Sequence, residues 1–478
     1  MIKRADILWM GGLTVAALLS GVFLSGISPY MIILIPLAFI VGVLLLNNGE
    51  ICIALVVLTL PLLESKIMSF SLLPVPGARV SNILLLVALV GLLINSTLNL
   101  SEVKLASVFY FGSLILLVFA VLRADHVALY AMDALGEEYT PLKFFISYGF
   151  MPALRITPLF VIIMTIRKRS DIYRLTTYLA LSMVALSISI IGIYFFQVPA
   201  GADFSVTRST IGLELGMHGN NLADFFIIGI PFIFALSLDK MNQHRKWFYL
   251  AVLLSLAATA LIYSRAAYFI ISIAVFAVIL ITKKYKLLIP ALVIGLLITI
   301  LMPEVIDRAL TGFETGDPAE ITAGRTDMIW KGIIRETEFN LENFPEKIIF
   351  GYGRYGYMAL QDFRNQRILG VTHAHNMYLD TLLDAGLIGL GFYLFFFVWM
   401  IMKISARIAT SFRTEGYPNI FLFTGLLVSI ISFLARGLVG SFFLPHLSNT
   451  YMYFIIAITF IAFNEKIISE GEKIRIEV

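Results

Sequence analysis

Long apolar runs separated by short polar segments dominate the chain. A helix crosses the hydrocarbon core of a membrane with about 20 mostly apolar residues, in a range of roughly 17 to 25. The runs that we predict as spans are 7–27, 29–46, 50–63, 80–95, 105–122, 147–166, 173–195, 221–238, 246–263, 266–282, 286–302, 376–402, 418–435 and 447–463. The third is short, and Pro61, Pro74 and Pro76 predict a bent or interfacial segment after it. The pattern therefore predicts an all-α fold, a polytopic transmembrane helical bundle of about 12 to 14 spans.

The composition excludes a soluble protein. Of the 478 residues 59% are hydrophobic and 14% are charged, with a mean hydropathy of +0.91, whereas about 25% of residues are charged in soluble domains. The single cysteine, Cys52, lies in an apolar run and offers neither a disulfide within the chain nor a cysteine metal cluster. Lys3 and Arg4 precede an apolar run without a convincing cleavage pattern, so an uncleaved first helix is expected. The net charge of +4 bears on orientation and does not indicate a nucleic-acid partner.

The basic residues predict the orientation of the spans. With the N-terminus inside and the spans alternating, the inner segments hold 19 of the 35 Lys and Arg residues, and the short outer segments hold eight. The other eight lie in 303–375, which is too long for the positive-inside rule. Both termini are therefore expected in the cytoplasm. The predicted divisions are transmembrane helices 1–11 in 1–302, a periplasmic loop at 303–375, transmembrane helices 12–14 in 376–463, and a cytoplasmic tail at 464–478.

The large outer loop is predicted to be folded and partly helical. The segment "GRTDMIWKGIIRETEFN" places Ile329, Trp330, Ile333 and Ile334 on one helix face, and "FGYGRYGY" is typical of a glycine-rich turn. A folded loop of this size between two spans is expected to form a lid or a substrate platform.

Several arginines lie on the predicted outer side, where the positive-inside rule disfavours them, and three of these are candidate site residues. Arg265 occupies the tight connection between two spans, Arg155 lies near the outer end of a span, and Arg208 lies in an outer loop. A guanidinium binds phosphate in bidentate fashion and stays charged at any working pH, so a diphosphate-bearing lipid is a natural ligand. The alternative is that each arginine extends to lipid headgroups.

A polar cluster begins the span near 376. His375 precedes Asn376, and a neutral imidazole there would accept a proton from a sugar hydroxyl if its pKa were near ambient pH. Asp380 and Asp384 share a helix face, where they would orient the histidine or pair with an arginine from another span. In the alternative interpretation, His373 is a loop residue and His375 only caps the helix or meets headgroups.

The run "HNMYLDTLLDAGLIGLGFYLFFF" resembles the signature of the O-antigen ligase superfamily, which includes ligases, O-antigen polymerases and protein O-oligosaccharyltransferases. The matching residues are His375, Asn376, Tyr378, Leu379, Asp384, Gly386 and Gly389, although the family more often has Glu at the position of Asp384. Three further elements resemble the family in the same order. They are Arg208, Gly212, Asn221 and Asp224 in "TRSTIGLELGMHGNNLADFF", Ser264 and Arg265 in "YSRAAYF", and the outer-loop pieces "GRTDMIW", with Arg325, and "FGYGRYGY".

The resemblance implies a membrane glycosyltransferase that uses neither a metal nor another cofactor. Its donor would be a glycan on undecaprenyl diphosphate at the outer leaflet of the bacterial inner membrane, its acceptor a glycan or lipid hydroxyl, and its stereochemical course inverting. His375 would be the general base, with Arg265 and Arg208 holding the diphosphate. The candidate substrate-binding residues are Arg208, Asn221, Asn376, Arg155, Arg325 and Asp384. Gly386 and Gly389 would instead allow close helix packing.

Two other classes remain open. A flippase or transporter for lipid-linked oligosaccharides is expected to carry ionisable groups near mid-bilayer or inverted repeats, whereas here the polar residues gather at the outer face. A structural assembly factor would leave the outer arginines and His375 without a common purpose. Within the enzyme class, ligase and polymerase share donor and mechanism, and the sequence does not name the acceptor.

Overall fold

The computed structural model describes residues 49–62, 65–66, 80–95, 104–124, 127–128, 133, 138–166, 169–240, 242–301, 303–310, 316, 320, 322, 324–360, 373–412, 419–440, 442–446 and 449–464. The predicted spans 7–27 and 29–46 and both chain termini lie outside these residues.

Every regular element of the described residues is helical. The α-helices are α1 (Gly49–Thr59), α2 (Val80–Asn95), α3 (Lys104–Leu122), α4 (Pro141–Phe145), α5 (Met151–Thr165), α6 (Arg169–Gln197), α7 (Phe204–Leu215), α8 (Gly219–Ser237), α9 (Arg245–Ile262), α10 (Arg265–Ile281), α11 (Leu288–Leu301), α12 (Pro303–Leu310), α13 (Lys331–Asn343), α14 (Pro345–Phe350), α15 (Met377–Ser411), α16 (Ile420–Gly437) and α17 (Thr450–Ala462). Short 3-10 helices span Leu60–Leu62, Tyr285–Leu287 and Gly356–Ala359, and π-helical turns span Ile146–Phe150 and Thr326–Trp330.

Each predicted span from 50–63 onward coincides with one of these helices. Within the described residues, seven helical segments can cross a membrane by length and composition: α3, Pro141–Met164, Ser170–Gln197, α8, α9, α15 and α16. Shorter apolar helices are α10, Tyr285–Leu297 and α17. The structure therefore confirms an all-α polytopic helical membrane protein.

Helix α8 lies at the centre of the bundle. It packs against α9, α10 and α16, and all its residues from Leu222 to Ser237 are buried. Such a helix must be apolar all round, and Asp224 is the exception. A buried carboxylate is costly unless it is paired. Arg436 at the end of α16 donates from Nε to Asp224 Oδ1 at 2.5 Å, so this ion pair joins the two central helices.

The glycine-rich turn predicted from "FGYGRYGY" is confirmed. Gly351 and Gly353 have φ angles of 77° and 100°, in the left-handed region that favours glycine. The turn packs on the first part of α15, where the Tyr352 N–H donates to the Leu383 carbonyl at 2.6 Å. On its other side, the Arg354 N–H donates to the Ala120 carbonyl at 2.7 Å, which ties the turn to α3.

Gly386 interrupts α15 with a φ of 68°. A Cβ at this position would overlap the Ile349 carbonyl of the loop. Its role therefore differs from the predicted helix packing, because it lets the outer loop approach the kinked helix backbone.

Gly386→Ala is expected to destabilise the protein by about 2 kcal/mol, because alanine disfavours positive φ and the added methyl has no room. Gly391→Ala is the matched control, since it lies in the same helix with nothing within 4 Å of its Cβ position. The control should be neutral or stabilise by about 0.5–1 kcal/mol. Thermal unfolding in detergent checks both, and equal midpoints for the two variants would contradict the prediction.

The predicted helix face of the outer loop is correct in part. Ile329 and Ile333 are buried and Trp330 is half-buried, but Ile334 is 51% exposed. One step along an α-helix turns the side chain by about 100°, so Ile334 points away from the face that holds Ile333. The chain also passes through the π-helical turn Thr326–Trp330, which shifts the register before α13 begins.

Candidate functional site

The candidate site lies at one end of the bundle, where α8, α10 and α15 begin and α16 ends. The loop His373–Asn376 enters it and is fixed through Ala374, which is fully buried. The Ala374 N–H donates to Asp380 Oδ1 at 2.7 Å, and its carbonyl accepts from Trp330 Nε1 at 2.9 Å. The loop is thus held between α15 and the outer loop.

Two histidines flank this fixed residue. Their rings meet edge to face, with 4.0 Å between the centroids of His373 and His375. His375 has a φ of 53°, a left-handed conformation that is uncommon for a residue other than glycine. Such strain persists only where the surroundings impose it, and it concentrates at functional sites.

His373 opens onto a cavity of about 210 Å³, which we call the histidine cavity. Its lining residues are Asn221, Arg354, Tyr355, His373, Asp380, Asp384, Phe442 and His446. Asp380 Oδ2, Arg354 Nε and His373 Nδ1 are buried and have no hydrogen-bond partner among the described residues. The cavity therefore presents both donors and acceptors, which suits hydroxyl groups because they also donate and accept. No group of three His, Cys, Asp or Glu in the described ranges could hold a metal ion.

Asp384 pairs with Arg354 of the glycine-rich turn. Arg354 Nη1 lies 3.1 Å from Asp384 Oδ2, and the Gly356 N–H donates to Oδ1 at 2.9 Å. Both partners are almost completely buried. Of the two alternatives for these carboxylates, Asp384 takes the pairing with an arginine, but Arg354 comes from the outer loop rather than from another span, because the turn folds onto α15. Asp380 orients the histidine loop through its backbone rather than through an imidazole.

Beyond His375 lies a set of cationic side chains, which we call the arginine group: Arg208, Arg265, Arg308, Arg325 and Arg436. Arg208 donates from Nη2 to Asn220 Oδ1 at 2.8 Å, and the same oxygen accepts from Ser264 Oγ at 3.2 Å. Arg325 donates from Nη1 to the Val439 carbonyl at 3.0 Å. These contacts bring the ends of α7, α8, α10 and α16 and the outer loop to one place.

The positive charges of the arginine group repel one another. Burial and then the neighbouring Arg308, Arg436 and Arg265 lower the pKa of Arg208 to about 10. Burial together with Arg436, Arg265 and Arg208 likewise lowers the pKa of Arg325 to about 10. Guanidinium groups that repel one another are stabilised by an anion placed between them.

The imidazole of His375 responds to the same charges. Burial lowers its pKa to about 3, with further lowering by His373, Arg325, His218 and Arg436. The expectation of a pKa near ambient pH is therefore wrong for the protein without substrate, because the sequence does not reveal the burial or the cations. His375 is neutral at pH 7, and an anion bound to the arginine group would raise its pKa.

The other predicted site residues are placed as follows. Arg265 begins α10 within the arginine group and shares Arg325 as a neighbour with His375. Asn221 lines the histidine cavity. Asn376 caps α15, since its side-chain oxygen accepts from the N–H groups of Tyr378 and Leu379.

Arg155 is buried within α5, so it does not reach lipid headgroups as the alternative supposed. Burial, followed by Arg354, His373 and Arg155, lowers the pKa of His446 to about 3, which places Arg155 on the side of the histidine cavity.

Sequence reasoning missed five residues that build the site: Asn220, Trp330, Arg354, Arg436 and His446. Arg354 carried a signal, because it sits inside the glycine-rich turn. Arg436 is one of the eight basic residues of the short outer segments, and the sequence did not indicate its pairing with Asp224 of α8.

Part of the chain matches a known protein family. Residues 250–394 match the model of the family described as O-antigen ligase. This match is consistent with an O-antigen ligase-like family. The searches of curated proteins and of solved structures found no match.

The matched residues 250–394 contain much of the site, but not all of it. His373, His375, Asp380, Asp384 and Arg354 lie within the matched residues, and so do Arg265, Arg308 and Arg325. Arg155, Arg208 and Asn221 precede the match, while Arg436 and His446 follow it. Segments on both sides of the matched residues therefore complete the site.

Proposed function

We propose that the protein transfers a glycan from a polyprenyl diphosphate carrier, of the undecaprenyl type, to an acceptor hydroxyl at the periplasmic face of the bacterial inner membrane. The observation that carries the proposal is the position of one neutral imidazole, His375, beside the half-buried Arg325 and the buried Arg436. A diphosphate leaving group needs cations, and an attacking hydroxyl needs a base.

In the proposed reaction the acceptor oxygen attacks the anomeric carbon of the donor sugar. The bond from that carbon to the diphosphate oxygen breaks, and its electron pair leaves with the diphosphate. The hydroxyl proton moves to His375, and direct displacement inverts the anomeric configuration. Negative charge grows on the diphosphate as the bond breaks, so fixed guanidinium groups, with Arg265 and Arg208 foremost, stabilise the transition state more than the ground state.

The histidine cavity would hold a sugar ring next to the reacting atoms. The mixed donors and acceptors of Asp380, Arg354 and Asn221 suit hydroxyl groups, and Tyr355 and Phe442 supply apolar ring surface. The cavity and the arginine group meet at the histidine pair, where His373 and His375 are in contact. A sugar on one side and a diphosphate on the other would place His375 between acceptor and leaving group.

The ionic groups also bear on the flippase alternative. Two buried ion pairs of the described residues, Arg354–Asp384 and Arg436–Asp224, lie at the end of the bundle that holds the histidines. A passage across the bilayer would be expected to place ionisable groups near mid-membrane. The position of these ion pairs supports a reaction at one face of the membrane rather than transport across it.

Deletion of the gene tests the function through the surface-glycan ladder on a gel. Loss of glycan attachment with accumulated lipid-linked polymer is expected for a ligase, and a single repeat unit on the acceptor is expected for a polymerase of the same family. Restoration of the ladder by the wild-type gene on a plasmid is the control. An unchanged ladder together with an unchanged yield of exopolysaccharide would rule out both activities.

A further inference from the structure

A second cavity, of about 540 Å³, lies between the end of α8, the start of α9 and the connection from α10 to α11. Its lining residues are Ser237, Leu238, Lys240, Arg245, Tyr249, Lys283, Lys284, Tyr285, Lys286 and Leu287. We call it the basic cavity, because five of these side chains are cationic and none is acidic.

The basic cavity lies at the opposite end of the bundle from the candidate site. Asn221 near the start of α8 lines the histidine cavity, whereas Ser237 at the end of the same helix lines the basic cavity. A helix rises about 1.5 Å per residue, so these residues are roughly 24 Å apart. Helix α10 repeats the relation, with Arg265 at one end and Lys283 just beyond the other. The two cavities therefore face opposite leaflets.

Positive charge at this end also serves orientation, but two of the lysines additionally lie over aromatic rings. Lys283 Nζ lies 4.5 Å from the centroid of the Phe412 ring, and Lys284 Nζ lies 5.6 Å from that of Phe421. Lys283 has a φ of 57°, a conformation that the surrounding fold must impose. None of the five cations forms an ion pair with another described residue.

The helices that lead away from the basic cavity are apolar on their outer faces. Leu250 and Leu253 of α9 are 43% and 50% exposed, and Ile289 and Leu292 of α11 are 71% and 73% exposed among the described residues. Tyr249 and Tyr285 lie at the rim, where aromatic residues favour the boundary between headgroups and acyl chains. The surface thus combines a cationic pocket with an adjoining apolar wall.

We infer that the basic cavity binds the phosphate headgroup of an anionic phospholipid in the leaflet opposite the candidate site. Its ammonium and guanidinium groups would hold the phosphate oxygens, and the acyl chains would lie along the exposed leucine and isoleucine side chains. Basic pockets between transmembrane helices recognise such headgroups by the same chemistry. This inference does not depend on the proposed transfer reaction.

Native mass spectrometry of the detergent-purified protein tests the inference, with cardiolipin and phosphatidylglycerol as probes and phosphatidylcholine as the neutral reference. Lys240→Gln/Lys286→Gln removes two lining charges, and Lys246→Gln/Lys403→Gln removes two exposed charges outside the lining. Each basic residue near a headgroup contributes about 1 kcal/mol, so the first variant should bind cardiolipin about thirtyfold more weakly. The control should stay within about twofold of wild type, as expected of charges that make no direct contact.

Wild-type protein supplies a second measurement if the lining variant does not fold. Its binding of both anionic lipids should weaken as salt rises from about 0.05 M to about 0.5 M, because the charges are screened. Equal weakening by the two variants would overturn the inference in favour of a general surface potential. Equal binding of phosphatidylcholine would also overturn it, and so would binding of inorganic phosphate as tight as that of the lipids, because the headgroup would then not be the preferred ligand.

Discussion

Replacing His375 with Gly is expected to lower the rate of glycan transfer by about 10² to 10⁴-fold, the range that general acid–base catalysis contributes. Glycine is the sharpest replacement, because it adopts the φ of 53° without strain while removing the imidazole. The thermal unfolding midpoint should be unchanged or higher. Loss of activity with retained stability would then report the chemistry of the side chain. His375→Ala should lose activity equally, with some loss of stability.

Transfer is measured in proteoliposomes with the lipid-linked glycan extracted from the deletion strain and an acceptor fraction from the same cells. His244→Ala is the control, since His244 is exposed and lies at the opposite end of the bundle. Its rate should match wild type. A rate for His375→Gly above about one tenth of wild type would remove this imidazole from the mechanism.

The pH dependence provides a readout that a purely structural role would not give. In the free protein the pKa of His375 is about 3, so kcat/KM should stay flat as the pH falls from 8 to 5. A bound diphosphate offsets the charges of Arg325 and Arg436, which lower that pKa. The pKa in the complex is therefore higher, and kcat should begin to fall at a higher pH than kcat/KM. Superimposed profiles would contradict this assignment.

Hydropathy was sufficient to predict most of the fold. Membrane spans are long apolar runs whose boundaries depend on local composition, so each predicted span in the described residues coincides with a helix. The glycine-rich turn was also predictable, because positive φ angles favour glycine at Gly351 and Gly353. The side that Ile334 faces could not be predicted, because the π-helical turn Thr326–Trp330 changes the helical register before α13 begins.

The partners of the charged residues could not be predicted, since pairing depends on which segments meet in space. The sequence around Asp384 did not indicate that Arg354, from another part of the chain, would pair with it. The sequence did not indicate that Arg155, from α5, would lie near His446. The pKa of His375 likewise depends on burial and on Arg325 and Arg436, which come from distant segments.

Replacing Arg354 with Met is expected to lower the free energy of unfolding by about 3–5 kcal/mol at neutral pH, because it leaves Asp384 as an uncompensated buried charge. The loss should also disorder the glycine-rich turn, since Gly356 is held by the same carboxylate. The double change Arg354→Met/Asp384→Leu removes both charges and should recover much of the stability. Thermal unfolding in detergent measures the three proteins.

A surface pair serves as the matched control. Lys331 and Asp327 form an ion pair one helical turn apart in the outer loop, with exposed side chains. Lys331→Met should change the free energy of unfolding by less than about 1 kcal/mol, because water screens exposed pairs. If Arg354→Met and Lys331→Met lowered the free energy of unfolding equally, burial would not determine how much the Arg354–Asp384 pair stabilises the protein. If Arg354→Met/Asp384→Leu were no more stable than Arg354→Met, the lost packing of the arginine side chain, rather than the unpaired carboxylate of Asp384, would cause most of the loss of stability. The buried pair would then be a packing element, and the outer loop would be held on α15 mainly by contacts such as that between Tyr352 and Leu383.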